Sequence, residues 1–115
     1  MKTWDKLLVS LLDPILPTYA EPYNEPLTTP CITYRMSNNV RDLEGDMMRY
    51  SRIYYTIKLH VTDLDEAEEY LEEIDRTLYL NRFFREGFNH LVIGNVHEFT
   101  ITYSVHTKEL IVERT

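Results

Sequence analysis

The chain is short of the residues from which most active and binding sites are built. Its single cysteine, Cys31, rules out an internal disulfide and a cysteine-based zinc site, and suits a reducing cytoplasm. Its three glycines, Gly45, Gly87 and Gly94, stand apart, so no glycine-rich loop cradles a phosphate. No serine occupies a G-x-S-x-G elbow, and His60, His90, His97 and His106 lack H-E-x-x-H spacing. The sequence therefore offers no catalytic residue, no metal ligand set and no cofactor site, and the expectation is a protein that is not an enzyme. An enzyme would need a cleft that gathers Cys31, a histidine and a carboxylate.

Long apolar runs are missing too. Nothing approaches the length of a membrane span, and no early stretch joins a basic start, an apolar segment and a small-residue cleavage site. Positive charge is scarce: 12 Lys and Arg against 19 Asp and Glu give a net charge of -7. That sign opposes attraction to phosphate backbones and anionic lipid, so neither specific nucleic-acid binding nor membrane binding is expected. The nine tyrosines, some near Arg35, Arg52 and Lys58, accompany no RNA-binding motif and read as core and protein-contact residues.

What is present suits one folded domain. At 115 residues, 43% hydrophobic and 27% charged, the chain can build one core and is not a disordered polymer. Trp4, Leu7, Leu8 and Leu11 recur at helical spacing, with Thr3 placed to cap the helix and Pro14 to end it near Leu12. Residues 13–30 hold all five prolines and read as an extended strap rather than an element, pinned by Tyr19, Tyr23 and Leu27. Cys31 to Met36 alternates as a first strand. Ser37 to Tyr50 is then a long stretch that either projects as a loop or lengthens two strands of a hairpin.

From Arg52 to Val61 the alternation is unbroken, with Ile53, Tyr55, Ile57, Leu59 and Val61 on one side and Arg52, Tyr54, Thr56, Lys58 and His60 on the other. The period then changes. Leu64, Ala67, Leu71, Ile74 and Leu78 predict a helix over Leu64–Leu80, opened by a capping box of Asp63 and Glu66. Its acidic side includes like-charge pairs such as Glu68/Glu72 and Glu69/Glu73, a solvated face or one that meets a basic partner. Asp75 borders the apolar stripe, where a carboxylate takes a hydrogen bond or salt bridge at the core's edge, or an arginine from a neighbouring chain. Phe88 to Ile93, a Gly94-Asn95 turn, Val96 to Val105 and a final strand over Leu110 to Glu113 complete an α-β-β-α-β-β-β order. The expected fold is α+β, a mostly antiparallel sheet with two helices on one face, divided as helix 1–12, strap 13–30, and sheet plus acidic helix 31–115.

Several segments carry a family likeness. Pro30-Cys31-Ile32-Thr33-Tyr34, Glu44-Gly45-Asp46, and Tyr50-Ser51-Arg52-Ile53-Tyr54 through Ile57-Lys58, with Glu69-Tyr70-Leu71 and Ile74-Asp75, resemble the tail-completion, or tail-terminator, proteins of long-tailed bacteriophages. The likeness runs from about Leu11 to Phe88 and leaves the C-terminal hairpins outside it. It implies a structural virion protein, assembled in the host cytoplasm, whose copies close a ring, usually hexameric. Such a ring caps the tail tube and meets the head-closure protein of the neck, with the genome passing through it. Closing a ring head-to-tail needs unlike patches on the two sides of each subunit. Arg35, Arg49, Arg52, Tyr54 and Lys58 on one side, and Glu69, Glu72, Glu73 and Asp75 on the other, are the expected interface. A head-closure or adaptor ring is a related reading, and a monomeric acidic protein that occupies a basic partner is one of a different class.

Overall fold

The alternation of Arg52 to Val61 becomes the middle of a sheet. In a computed structural model that describes residues 2–23, 26–44 and 47–106, with the backbone alone at 2–3, 38–44 and 47–51, the elements are α1 (Lys2–Leu12), β1 (Thr18–Ala20), β2 (Cys31–Glu44), β3 (Met47–Val61), α2 (Leu64–Leu80), β4 (Phe84–Ile93) and β5 (Val96–His106). The five strands form one sheet in the order β1-β2-β3-β5-β4, antiparallel except where β1 meets β2. The fold is α+β, as expected. The order differs by one early strand, β1, and the expected strand over Leu110 to Glu113 lies outside the described residues.

Strand β3 packs as its pattern requires. Ile53, Tyr55, Ile57, Leu59 and Val61 are fully buried, and β5 sets Val105, Tyr103, Ile101 and Phe99 opposite the first four. Each large apolar side chain removed from water contributes about 1.5–3 kcal/mol, so this double row dominates the core. Both helices lie over it. The Tyr55 hydroxyl donates to Asp5 Oδ1 of α1 at 2.5 Å, and the Tyr103 hydroxyl donates to Asp75 Oδ1 of α2 at 3.0 Å. Tyr55 and Tyr103 are cross-strand partners and so point to the same face.

Helix α1 buries Leu8 and Leu12 completely, and Trp4 meets Phe83 edge-on at 6.1 Å. It begins at Lys2, so Thr3 lies in the first turn rather than at the cap. Helix α2 has the predicted bounds, with Asp63 as N-cap accepting from the Asp65 amide at 2.9 Å. Ala67, Ile74 and Leu78 are buried, whereas Leu64, in the first turn, is half exposed. At its end Arg82 takes φ +67°, while the Phe83 amide donates to the Leu78 carbonyl and the Arg82 amide to that of Tyr79. This is a Schellman stop with arginine where glycine is usual.

The strap is not structureless. Between Pro17 and Pro22, Thr18–Ala20 keep their amide donors and pair in parallel with Ile32–Tyr34, and the Ile32 amide donates to the Pro17 carbonyl at 2.9 Å. Proline is tolerated there because this is a sheet edge. The stretch from Ser37 to Tyr50 lengthens both strands of the hairpin, with register shifts at Met36/Asn38 and Asp42/Leu43. Strand β5 pairs with β3 only from Arg52 onward, so among the described residues the far end of β2–β3 is a two-stranded arm. At the β4–β5 turn Gly94 takes φ +64°, the glycine-first pattern of a type II′ hairpin.

Candidate functional site

The sheet face away from the helices carries a connected polar cluster. Glu21, one residue beyond β1, reaches over β2: its Oε2 accepts from the Thr33 hydroxyl at 2.8 Å and lies 3.7 Å from Lys58 Nζ, while its Oε1 lies 3.7 Å from Arg35 Nε. Lys58 Nζ also lies 3.4 Å from Glu98 Oε1. His60 Nε2 is 2.9 Å from Thr33 Oγ1. Thr33 has one hydroxyl proton and gives it to Glu21, so the donor count assigns the other proton to His60 Nε2. Burial holds His60 below its ordinary pKa, an effect to which Lys58 adds and which Glu98 and Glu21 oppose.

The expected interface residues are thus placed as follows. Lys58 stands between two carboxylates of its own chain, and Arg35, half exposed, borders Glu21. Arg52 Nη1 donates to the Tyr54 hydroxyl at 3.3 Å. The side chain of Arg49 lies outside the described residues. Glu69, Glu72 and Glu73 are exposed on α2, while Asp75 accepts from Tyr103 inside the chain. The cations and the acidic helix therefore sit on opposite faces of the sheet. The Arg35–Glu21 pair, with its half-exposed guanidinium, contributes little to stability, about 0–1 kcal/mol, whereas Lys58 and Glu98 are mostly covered.

A cysteine, a histidine and a carboxylate do meet in one row. Cys31 pairs with His60 across β2–β3, and His60 with Glu98 across β3–β5. The thiol is fully buried, burial pushes its pKa up, and His60 Nε2 is engaged by Thr33. That is the opposite of the electropositive, accessible setting that produces a thiolate nucleophile. Among the described residues no group of three His, Cys, Asp or Glu side chains is arranged to hold a metal ion. On the helix side, Trp4, Leu7, Arg82, Phe84 and Val105 border a cavity of about 640 Å³, and Trp4 Nε1 is buried without a hydrogen-bond partner among the described residues.

Sequence reasoning missed the edge of the sheet. Among the described residues strand β4 pairs with β5 on one side only and is exposed along its length apart from Gly87. Phe84, Phe88, Leu91, Val92 and Ile93 are between 43% and 60% exposed. The signal was present: Leu91-Val92-Ile93 is apolar at consecutive positions, which puts apolar side chains on both faces of one strand. Beside it His90 stacks on Phe99 at 4.2 Å, and its Nε2 lies 3.0 Å from His97 Nδ1. No known family model matches the chain, and no curated protein matches it.

Proposed function

We propose that the protein is a structural subunit that acts by self-assembly: a tail-completion subunit whose copies close a ring, cap a phage tail tube and join it to the head-closure protein of the neck. The observation that supports this reading is the unlike pair of sheet edges. Among the described residues one edge, β4, is long, rich in exposed apolar side chains and unpaired on its outer side; the other, β2, is covered by β1 for three residues only and carries charged residues. Unlike edges suit head-to-tail contact, the geometry that closes rings. The two sheet faces also differ, since α2 carries the exposed carboxylates of Glu69, Glu72 and Glu73 on one and the other holds a mixed cluster of Lys58 and Arg35 with Glu21 and Glu98. In this reading the chain supplies shape and contact, with no catalytic residue and no cofactor.

The mass of the purified chain in solution, followed by negative-stain images with and without tail tubes, tests this. Closed rings that seat on tube ends are the expected result. Rings that bind a portal or adaptor and ignore tubes would move the subunit to the head-closure position. A strict monomer that engages no tube would sink the reading and leave the exposed carboxylates of Glu69, Glu72 and Glu73 as the basis for binding a basic partner.

A further inference from the structure

We infer that β4 of one copy continues the sheet of the next by pairing antiparallel with the stretch of β2 that begins at Arg35, an inference that rests on the self-assembly reading. The backbone argument comes first. An edge strand presents a row of unmet donors and acceptors, and proteins that stay monomeric blunt it with lysine, proline, bulges or a very short strand. Strand β4 has ten residues, no lysine and no proline, and one bulge at Arg85/Gly87. From Phe88 to Ile93 it carries no formal charge, so it brings no like charge to a chain of net charge -7.

The partner must bring a strand with a free edge, and the chain has one. Strand β1 covers β2 at Ile32–Tyr34, and the Glu21 amide donates to the Tyr34 carbonyl at 2.8 Å; from Arg35 to Glu44 that edge is open among the described residues. The sense also fits. Strands β2, β3, β5 and β4 alternate in direction, so a second sheet added in the same orientation places its β2 antiparallel to β4. Two copies of β4 fit each other less well: full-length self-pairing would set Arg85 against Val92 and Glu86 against Leu91.

This join has a built-in step. Strand β4 lies level with the Tyr54–Val61 half of β3, whereas the open stretch of β2 lies level with Met47–Thr56. Neighbours are therefore offset along the strand direction by roughly 20–25 Å at about 3.4 Å per residue. A closed ring then needs strands tilted to its axis, as stagger and tilt are linked in a barrel. Without that tilt the same contact would run on as a filament.

The test uses the full chain and two variant sets. Leu91→Lys with Val92→Lys puts two charges on exposed positions, so folding, checked by thermal melting, is retained while the assembly's dissociation constant rises at least about tenfold. Asn89→Cys on β4 and Asn38→Cys on β2, both at register positions on the sheet face away from the helices, are made separately and mixed with a short bismaleimide; buried Cys31 stays unreactive. Cross-linked dimers in the mixture, with none in either variant alone, are expected. Dimers from Asn89→Cys alone would replace the proposed join with a β4–β4 contact. Assembly unchanged by the double lysine variant would overturn the inference and leave self-assembly standing, whereas a monomeric wild type would overturn both.

Discussion

Strands β3 and β4 are both rich in apolar residues, yet they do opposite things. Strand β3 lies between β2 and β5, under two helices, with its odd-numbered side chains from Ile53 to Val61 fully buried. Strand β4 ends the sheet among the described residues, and Leu91, Val92 and Ile93 are about half exposed or more. An apolar side chain stabilises the monomer only where the fold supplies neighbours for it. Where the fold supplies none, it adds little to the monomer's stability.

Truncation breaks or upholds this contrast most directly. Ile57→Ala should cost about 2–5 kcal/mol in urea unfolding, because it leaves a cavity between strand and helices. Val92→Ala should change stability by no more than about 0.5 kcal/mol. Comparable losses at the two sites would mean that β4 is covered within the monomer.

A smaller effect tests how the core is tied to the helices. Tyr103→Phe removes the hydroxyl that donates to Asp75, and the loss expected is about 1–2 kcal/mol, read from the same unfolding curves. Burial and the nearby Asp75 carboxylate push the Tyr103 pKa up, so this bond stays formed through the neutral range. If Asp75 instead served an arginine of a neighbouring chain, Tyr103→Phe would alter assembly more than monomer stability.

The smallest effect belongs to the open face. Because burial holds His60 below the ordinary histidine value of about 6.5, its contribution is complete above that pH and is lost as the pH falls toward and through the folded value. Wild type should therefore lose stability relative to His60→Gln as the pH drops below about 6.5, measured by thermal melting across pH. Parallel pH profiles for the two proteins would remove His60 from the cluster's electrostatics.

How much was legible follows from how local each cause is. The bounds of α2 could be read because Asp63 and the apolar stripe act within a few residues of one another. The turn at Gly94 could be read because a tight hairpin needs positive φ there. Strand β1 could not, since three residues between prolines become a strand only when β2 lies beside them. Lys58 looked like a free cation because Glu21 and Glu98, its neighbours in space, are distant in sequence.

By itself, then, the sequence determined both helices, the long strands with their buried faces, and the sign of the charge, because periodicity and composition act through nearest neighbours along the chain. Only the tertiary structure decided which strand stands at the edge and which charges find partners. Strand order is set by long-range pairing, and a strand's own residues look the same whether the next strand is present or missing.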